Sequence, residues 1–258
     1  SSDLKELGDV GNDIKIYGSR MWMVINCSDK VEVVKAANCE RIGQVNIPNC
    51  RNVVFDDRYA YVSSFVGPVD LQAEVQIGMV YKVDTLSLEI VNTVQVGYQP
   101  EEMAVAGGKL YVANSGGYRV PDYDRTVSVI DLASFKEIKQ IDVAPNLHRM
   151  QLDPYGDIWV SSRGDYYDNP PMTYIISTGS DTVTDRLELL ACTDMTICGD
   201  SLYVYSNAWS YATQTSDVNY AIVDIKSRRV VTRRFITDGT DSQFRNPYGI
   251  AVNPNTRE

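Results

Sequence analysis

The side chains that could support catalysis are sparse in this 258-residue chain. His148 is the single histidine, which excludes a multi-histidine metal site and makes any Ser-His-Asp arrangement depend on that one residue. The sequence contains no Gly-x-Ser-x-Gly elbow, no Walker-type phosphate loop and no dinucleotide fingerprint. Because 34 residues are Asp or Glu, a calcium site or an acid–base pair stays open, although no EF-hand spacing is present. We therefore predict a non-catalytic protein that needs no cofactor and no metal.

Cysteine usage gives little further chemistry. None of the five cysteines has a C-x-x-C or zinc-binding spacing. Cys27 and Cys50 are the pair best placed to approach each other, but the odd count favours mostly unpaired thiols that behave as small buried hydrophobes. The cysteines therefore do not indicate whether the protein is found in an oxidising or a reducing compartment.

The elements that would position any functional group are repeated units of four short strands. The clearest copy runs from Pro100 to Val143, where alternating apolar runs are separated by a Gly107-Gly108 turn, a polar glycine-rich loop and a second turn. A valine after an aromatic residue or Met ends the second strand of each unit, and these residues are Val24, Val62, Val112, Val160 and Val204. Their separations of 38, 50, 48 and 44 residues match the period of propeller blades with variable loops.

The fold class is therefore predicted to be all-β, a β-propeller of four-stranded antiparallel blades. We expect residues 1–258 to form a single domain that is incomplete at both ends, with about five full blades and a seven-bladed parent. The predicted repeats are about 11–47, 48–97, 98–144, 145–190, 191–236 and a partial 237–258. In the last of these, Pro247 to Val252 is predicted as a sixth inner strand.

Polar residues stand where each inner strand begins, at positions that a pure scaffold could have filled with apolar side chains. They are Arg51, Asn52, Glu101, Glu102, His148, Arg149, Thr193, Asp194, Asn246 and Tyr248. Alternating charges around a channel mouth can hold a ligand with amides, phosphate or carboxylates. We take Arg51, Glu101, His148, Arg149, Asp194 and Tyr248 as candidate ligand-binding residues, with a solvated channel lining as the alternative.

Long loops after the second strands provide a second set of candidates. The predicted loops are Ser63 to Ile77, Asn114 to Arg125, Ser161 to Pro171 and Tyr205 to Asp217. Their candidate ligand-binding aromatics are Tyr118, Tyr123, Tyr166, Tyr167, Trp209 and Tyr211. Tyr and Trp offer rigid, amphipathic contact area at low entropic cost, and the alternative is that the loops pack on one another.

Three aspartates that end third strands are interpreted as structural. Asp84, Asp131 and Asp224 are each followed three residues later by Ser. Asp and Ser side chains in such turns bond to nearby backbone amides. We therefore predict turns at these positions and no catalytic role.

The repeat motif resembles that of a known group of propellers. Tyr111-Val112-Ala113-Asn114, with variants starting at Tyr61 and Trp159, resembles the YVTN-type repeat of surface-layer and YncE-like β-propellers. The stretch from Leu7 to Ser19 is similar to surface-layer propeller lipoproteins of Bacteroides, among them the cobalamin-capturing BtuG-type proteins. The resemblance covers essentially the whole chain and implies an exported protein, at the outer-membrane cell surface or in the periplasm.

The net charge of the chain limits the classes of molecule that it is expected to bind. A net charge of −10 and a pI near 4.7 argue against nucleic acid, which requires a basic surface. No apolar run reaches the roughly 18 residues of a membrane span. Membrane association is expected only through a lipid anchor that this sequence does not contain.

Three functions remain open. The leading one is a non-catalytic surface propeller that binds a small polar ligand, with a corrinoid such as vitamin B12 first and a glycan next, and that hands it to an outer-membrane transporter. The second is a surface-layer or protein-docking module, which would expose hydrophobic patches. The third, a propeller lactonase or lyase, is disfavoured by the single histidine.

Overall fold

The computed structural model describes residues 8–69, 74–188, 190–210, 214–236, 247–253 and 255. These residues form strands β1 to β20 and one 3-10 turn, Asn26–Ser28. Within the same residues, no helix is long and apolar enough to cross a membrane.

The strands form five four-stranded antiparallel sheets, each made of four consecutive strands. Blade 1 contains β1 (Gly11–Tyr17), β2 (Arg20–Ile25), β3 (Lys30–Lys35) and β4 (Arg41–Asn46). Blade 2 contains β5 (Cys50–Phe55), β6 (Tyr59–Ser64), β7 (Ile77–Asp84) and β8 (Ile90–Tyr98). Blade 3 contains β9 (Pro100–Ala106), β10 (Lys109–Asn114), β11 (Thr126–Asp131) and β12 (Lys136–Asp142).

The remaining two blades follow the same order. Blade 4 contains β13 (Leu147–Leu152), β14 (Asp157–Ser162), β15 (Met172–Ser177) and β16 (Thr182–Leu187). Blade 5 contains β17 (Asp194–Cys198), β18 (Ser201–Ser210), β19 (Thr215–Asp224) and β20 (Arg229–Thr232). The predicted all-β propeller of four-stranded antiparallel blades is confirmed.

The chain divides into two compact units. Unit 1, Ser1–Asp142, holds blades 1 to 3, and unit 2, Val143–Glu258, holds blades 4 and 5.

Each unit is held together by apolar layers between neighbouring blades. In unit 1, Trp22 and Val24 of blade 1 pack with Val53 and Val62 of blade 2, and all four are fully buried. In unit 2, Trp159 of blade 4 packs with the inner strands of blade 5. Truncating a buried aromatic of this size costs roughly 3–5 kcal/mol, so Trp22 anchors blade 1 to blade 2 and Trp159 anchors blade 4 to blade 5.

The register corrects the predicted alignment of the first repeat. Ile14 pairs with Met23, as Val53 pairs with Val62 and Met150 pairs with Val160. The equivalent of the repeated valine is therefore Met23, and the choice of Val24 was wrong by one residue. Unbranched Met fills the same apolar position, and the shift places Trp22 where the other blades carry Tyr or Trp.

Two predictions in the last two repeats are also wrong. The stretch predicted as a loop from Tyr205 to Asp217 is mostly a long hairpin, in which β18 and β19 pair as far as Ser210 with Thr215. Residues 247–252, predicted as an inner strand, are not in a strand.

The acidic turns are confirmed. Ser134 donates its backbone N–H and its hydroxyl to Asp131, at 2.7 and 2.6 Å, and Ser227 does the same to Asp224 at 2.8 and 2.6 Å. These hydrogen bonds hold the pKa of both carboxyls below its ordinary value. The backbone N–H groups of Ser87 and Leu86 lower the pKa of Asp84 in the same way.

All five cysteines are free. Cys50 and Cys192 are buried, as expected of small apolar side chains, whereas Cys27 and Cys39 are exposed. Burial raises the pKa of Cys50 to about 11, so its thiol is protonated and unreactive at neutral pH.

Candidate functional site

The predicted rim residues of blades 2, 3 and 4 lie in β-bulges. In blade 2, Cys50 pairs with Ser64 and Val53 pairs with Val62, so that Arg51 and Asn52 together face one residue of β6. The same irregularity occurs at the start of the inner strands of blades 3 and 4. A bulge frees an amide from the ladder and redirects side chains, which explains why polar residues are accommodated there.

Serines of the repeat motif satisfy the freed amides. The hydroxyl of Ser63 accepts a hydrogen bond from Asn52 N at 3.1 Å and donates one to Glu101 O at 2.9 Å. In blade 4, the hydroxyl of Ser161 accepts from Arg149 N at 3.0 Å. The motif is therefore scaffolding that fixes the bulges.

A left-handed residue before the inner strand tethers the loop after the second strand. Asn49, Gln99 and Asn146 have φ values of 42°, 51° and 59°. Asn49 Nδ2 donates to Gly67 O at 2.5 Å, and Asn146 Nδ2 donates to Gly164 O at 3.3 Å. Gln99 Oε1 accepts from the backbone N–H of Tyr118 at 2.7 Å. These bonds hold three loops against the rims of their blades.

Two candidate residues of unit 1 pair with each other. Arg51 Nη2 lies 3.3 Å from Glu101 Oε2, and its guanidinium also stacks 4.5 Å from the centre of the Phe65 ring. Glu101 is buried. The pair joins blade 2 to blade 3. Because the two charges are opposite and close together, they largely neutralise one another.

Two candidate residues of unit 2 pair in the same way. Arg149 Nε lies 3.2 Å from Asp194 Oδ1 and donates to Thr193 O at 3.3 Å. Burial, with a smaller contribution from Asp194, raises the pKa of the adjacent Tyr205 to about 12. Arg149 and Asp194 thus join blade 4 to blade 5.

Asp194 also binds the segment that contains Tyr248. Its Oδ2 accepts a hydrogen bond from Ile250 N at 3.2 Å. In unit 1, Asp13 Oδ2 accepts from Val53 N at 3.0 Å in the same manner. Ile250 therefore occupies the same position relative to blade 5 that Val53 occupies relative to blade 1. Tyr248 is almost fully exposed.

The buried His148 has a partner that the sequence did not suggest. A guanidinium nitrogen of Arg163, Nη2, lies 2.8 Å from His148 Nε2. Because a guanidinium nitrogen can only donate, the imidazole accepts and is neutral with its proton on Nδ1. Arg163 directly follows β14, and nothing in the repeat pattern distinguishes it.

The loop from Gly164 to Asn169 is closed by one carboxylate. Asp165 Oδ1 accepts from Tyr167 N at 2.9 Å and from Asn169 N at 2.8 Å, while Oδ2 accepts from Asn169 Nδ2 at 2.5 Å. These bonds, above all those from Asn169, lower the pKa of Asp165 to about 2. Tyr166 and Tyr167 lie within this loop and are 53% and 86% exposed.

The corresponding loop of unit 1 is fixed by Asp124. Its carboxylate accepts from Tyr98 N at 2.7 Å and from the Thr126 hydroxyl at 2.8 Å. Tyr118 is exposed and Tyr123 is half-buried. An open groove of about 490 Å³ adjoins Tyr98, with Glu74, Gln76 and Gln95 among its lining residues.

The structure brings together only part of the predicted aromatic set. Tyr166 and Tyr167 share one loop, as do Tyr118 and Tyr123. Trp209 lies in β18, and its side chain is outside the described part of the structure, as is all of Tyr211. Within the described residues, no group of three or more His, Cys, Asp or Glu side chains could hold a metal ion.

Neither a protein-family model nor a curated protein matches this chain. Hydrazine synthase of Kuenenia stuttgartiensis is similar in structure, with 17% identity and a TM-score of 0.78 over 98% of this chain and 73% of its own. The computationally designed protein Ika8 has 9% identity and a TM-score of 0.60, over 88% of this chain and 64% of its own. The dihydro-heme d1 dehydrogenase NirN, in complex with DHE, has 15% identity and a TM-score of 0.56, over 83% and 44%.

At these identities the likeness concerns the fold alone. It agrees with a propeller of five four-stranded blades, which is consistent with a ligand-binding or docking module. No family match supports the resemblance to YncE-like or BtuG-type propellers, which stays a prediction.

Proposed function

We propose that this chain is a non-catalytic binding module whose small polar ligand contacts the loop from Gly164 to Asn169. The observation that carries the proposal is the closure of this loop by Asp165, which leaves Tyr166 and Tyr167 exposed on an ordered backbone. Exposed tyrosines on a preorganised loop bind at low entropic cost, because little freedom is lost when the ligand arrives.

The glycine that opens the loop supports this interpretation. Gly164 has φ of +70°, and a Cβ at this position would lie 2.0 Å from Asn169 O. The tight crossing therefore requires glycine. Together with the tether from Asn146 to Gly164 O, it fixes where the two tyrosines are presented.

The partners of the rim residues favour binding over catalysis. Arg51 is paired with Glu101, and Arg149 is paired with Asp194. The Nε2 lone pair of His148 already accepts from Arg163, so this nitrogen is not available as a general base in the observed arrangement. Each of these groups has a structural partner that accounts for its position.

The identity of the ligand rests on the sequence resemblance. A corrinoid such as vitamin B12 is the first candidate and a glycan is the second, because both offer polar groups and flat or ring-shaped surfaces to tyrosines. The surface location and the transfer to an outer-membrane transporter stay predictions from the same resemblance.

Calorimetric titration of the protein with cyanocobalamin and with a glycan panel tests the proposal. We expect saturable one-to-one binding of at least one of these ligands. Absence of heat with every corrinoid and glycan would contradict small-ligand binding and would leave protein docking as the better explanation.

One observation favours docking as a second candidate function. Ile14 and Ile16 of β1 are 59% and 68% exposed, whereas Val53, Met103 and Met150, which are equivalent to Ile14, are buried. An exposed apolar stripe on a sheet face is typical of a surface that packs against another sheet. A partner that docks there should lose affinity in the Ile14→Ser variant, and binding of the small ligand should be unchanged.

A further inference from the structure

Arg163 has no acidic partner among the residues that the structure describes. Its guanidinium is half-buried and donates to the neutral imidazole of His148. Two other partly buried arginines pair with carboxylates, Arg51 with Glu101 and Arg149 with Asp194. A neutral imidazole accepts a hydrogen bond but does not offset the positive charge.

A comparison with blade 2 identifies the group that Arg163 lacks in blade 4. There, Arg51 lies two residues before Val53 and stacks on Phe65, which follows β6 and donates its N–H to Asn49 O at 3.1 Å. In blade 4 the equivalent positions are His148, two residues before Met150, and Arg163, which follows β14 and donates its N–H to Asn146 O at 3.0 Å. In blade 2 the cation lies in the inner strand and the ring follows the second strand, whereas in blade 4 the ring lies in the inner strand and the cation follows the second strand.

The third member of the blade 2 group is an acid, and blade 4 lacks it. Glu101, two residues before Met103, neutralises Arg51 from the next blade. The corresponding residue after blade 4 is Thr193, two residues before Met195. The nearby carboxylate of Asp194 is already bound by Arg149 and by Ile250 N.

We infer that Arg163 and His148 form a binding site for an oxyanion, either a phosphate or a carboxylate group of a ligand. The guanidinium is a planar fork that matches both groups in a bidentate manner. Nη2 is held by the imidazole, which orients the remaining N–H groups. The anion takes the role that Glu101 plays in blade 2.

This inference deepens the proposed function and rests on it for its biological meaning. Arg163 immediately precedes the Gly164 to Asn169 loop, so one ligand can contact both the tyrosines and the guanidinium. The ligand class then narrows to polar organic molecules that carry a phosphate or a carboxylate, such as a phosphodiester or an acidic sugar.

The single histidine makes the test direct. In protein labelled with ¹⁵N, the imidazole signals belong to His148 alone. The protein is titrated at constant pH with sodium phosphate and separately with sodium acetate, with sodium chloride keeping the ionic strength constant. We expect a saturable change of the imidazole shifts with at least one anion, and the anion that saturates identifies the oxyanion class.

The variants separate this site from general salt effects. Arg163→Gln keeps an amide that can donate to His148 but removes the charge, and we expect at least a tenfold loss of anion affinity. Arg119→Gln removes another half-buried guanidinium, one that stacks on Tyr98 at 3.9 Å, and should leave the titration unchanged. A linear response to both anions in the wild type, or an unchanged affinity in Arg163→Gln, would overturn the inference.

The double variant Tyr166→Ala/Tyr167→Ala distinguishes the two proposals. It should retain the phosphate or acetate response at His148 while it loses affinity for the organic ligand. If the ligand fails to bind the wild type but the anion response saturates, the anion site stands and the aromatic binding loop does not.

Discussion

Asn169 donates both its backbone N–H and its side-chain amide to the carboxylate of Asp165, at 2.8 and 2.5 Å. The two bonds close a short loop whose intervening residues include the exposed Tyr166 and Tyr167. Closure by local hydrogen bonds lets a surface loop hold one conformation without a buried core of its own. The proposed binding function depends on this order.

The Asp165→Ala variant should weaken ligand binding without unfolding the protein. Asp165 is half-buried and its carboxylate bonds within the loop, so the loss concerns the fixed position of the tyrosines. We expect a tenfold or greater rise in Kd with a thermal midpoint close to that of the wild type. As a control, Asp168→Ala changes a neighbouring acid; equal losses in both variants would argue against closure by Asp165.

The Gly164→Ala variant should be more damaging to the loop. A Cβ would lie 2.0 Å from Asn169 O, and φ of +70° disfavours any residue with a side chain. Strain of this kind costs on the order of 1–3 kcal/mol. Gly107→Ala is the matched control, since Gly107 also has positive φ but open space around it. Amide exchange should accelerate in residues 165–169 only in Gly164→Ala; comparable protection in both variants would contradict the prediction.

The loop should resist mild acid. Because the folded pKa of Asp165 is lowered to about 2, its contribution is complete above the ordinary pKa of an aspartate, near 4, and is lost only as the pH falls through about 2. The amide shifts of Tyr167 and Asn169, followed by NMR, should therefore show no titration step between pH 5 and pH 3. A midpoint near pH 4 would show that the carboxylate is not hydrogen-bonded as described.

Removal of Arg51 should destabilise unit 1. The Arg51→Leu variant leaves the buried Glu101 without its cation, which costs about 3 kcal/mol in comparable buried pairs. The double variant with Glu101→Leu should recover much of this loss in the free energy of unfolding, measured by denaturant titration. The exposed pair Lys35 and Glu40 serves as the control, and its removal should change stability by less than about 1 kcal/mol.

The repeat pattern was enough to predict the blades because each element has a strong local signal. The aromatic-apolar step of the second strand, exemplified by Tyr111-Val112, recurs in every blade and coincides with fully buried positions in most of them. The alignment failed at Met23 because the pattern was defined by valine, whereas packing selects any apolar side chain of suitable size. The long β18–β19 hairpin was missed because its many polar residues are typical of loops.

The site was less predictable because its contacts join residues far apart in sequence. Arg51 and Glu101 were both recognised as rim residues, but only the structure shows that they neutralise one another. Arg163 carries no motif, and its contact with His148 depends on the bulge in β13 and on the tether from Asn146. Composition and spacing do not encode such relationships between neighbouring turns.

The proposed function requires that Tyr166 and Tyr167 contact the ligand. The most direct measurement is the calorimetric affinity of the Tyr166→Ala/Tyr167→Ala variant for whichever corrinoid or glycan binds the wild type. The matched control is Tyr155→Ala, which removes an exposed tyrosine from the β13–β14 turn of the same blade. We predict at least a tenfold loss of affinity in the double variant and none in the control. Equal affinity in the wild type, the double variant and the control would contradict the proposed binding function.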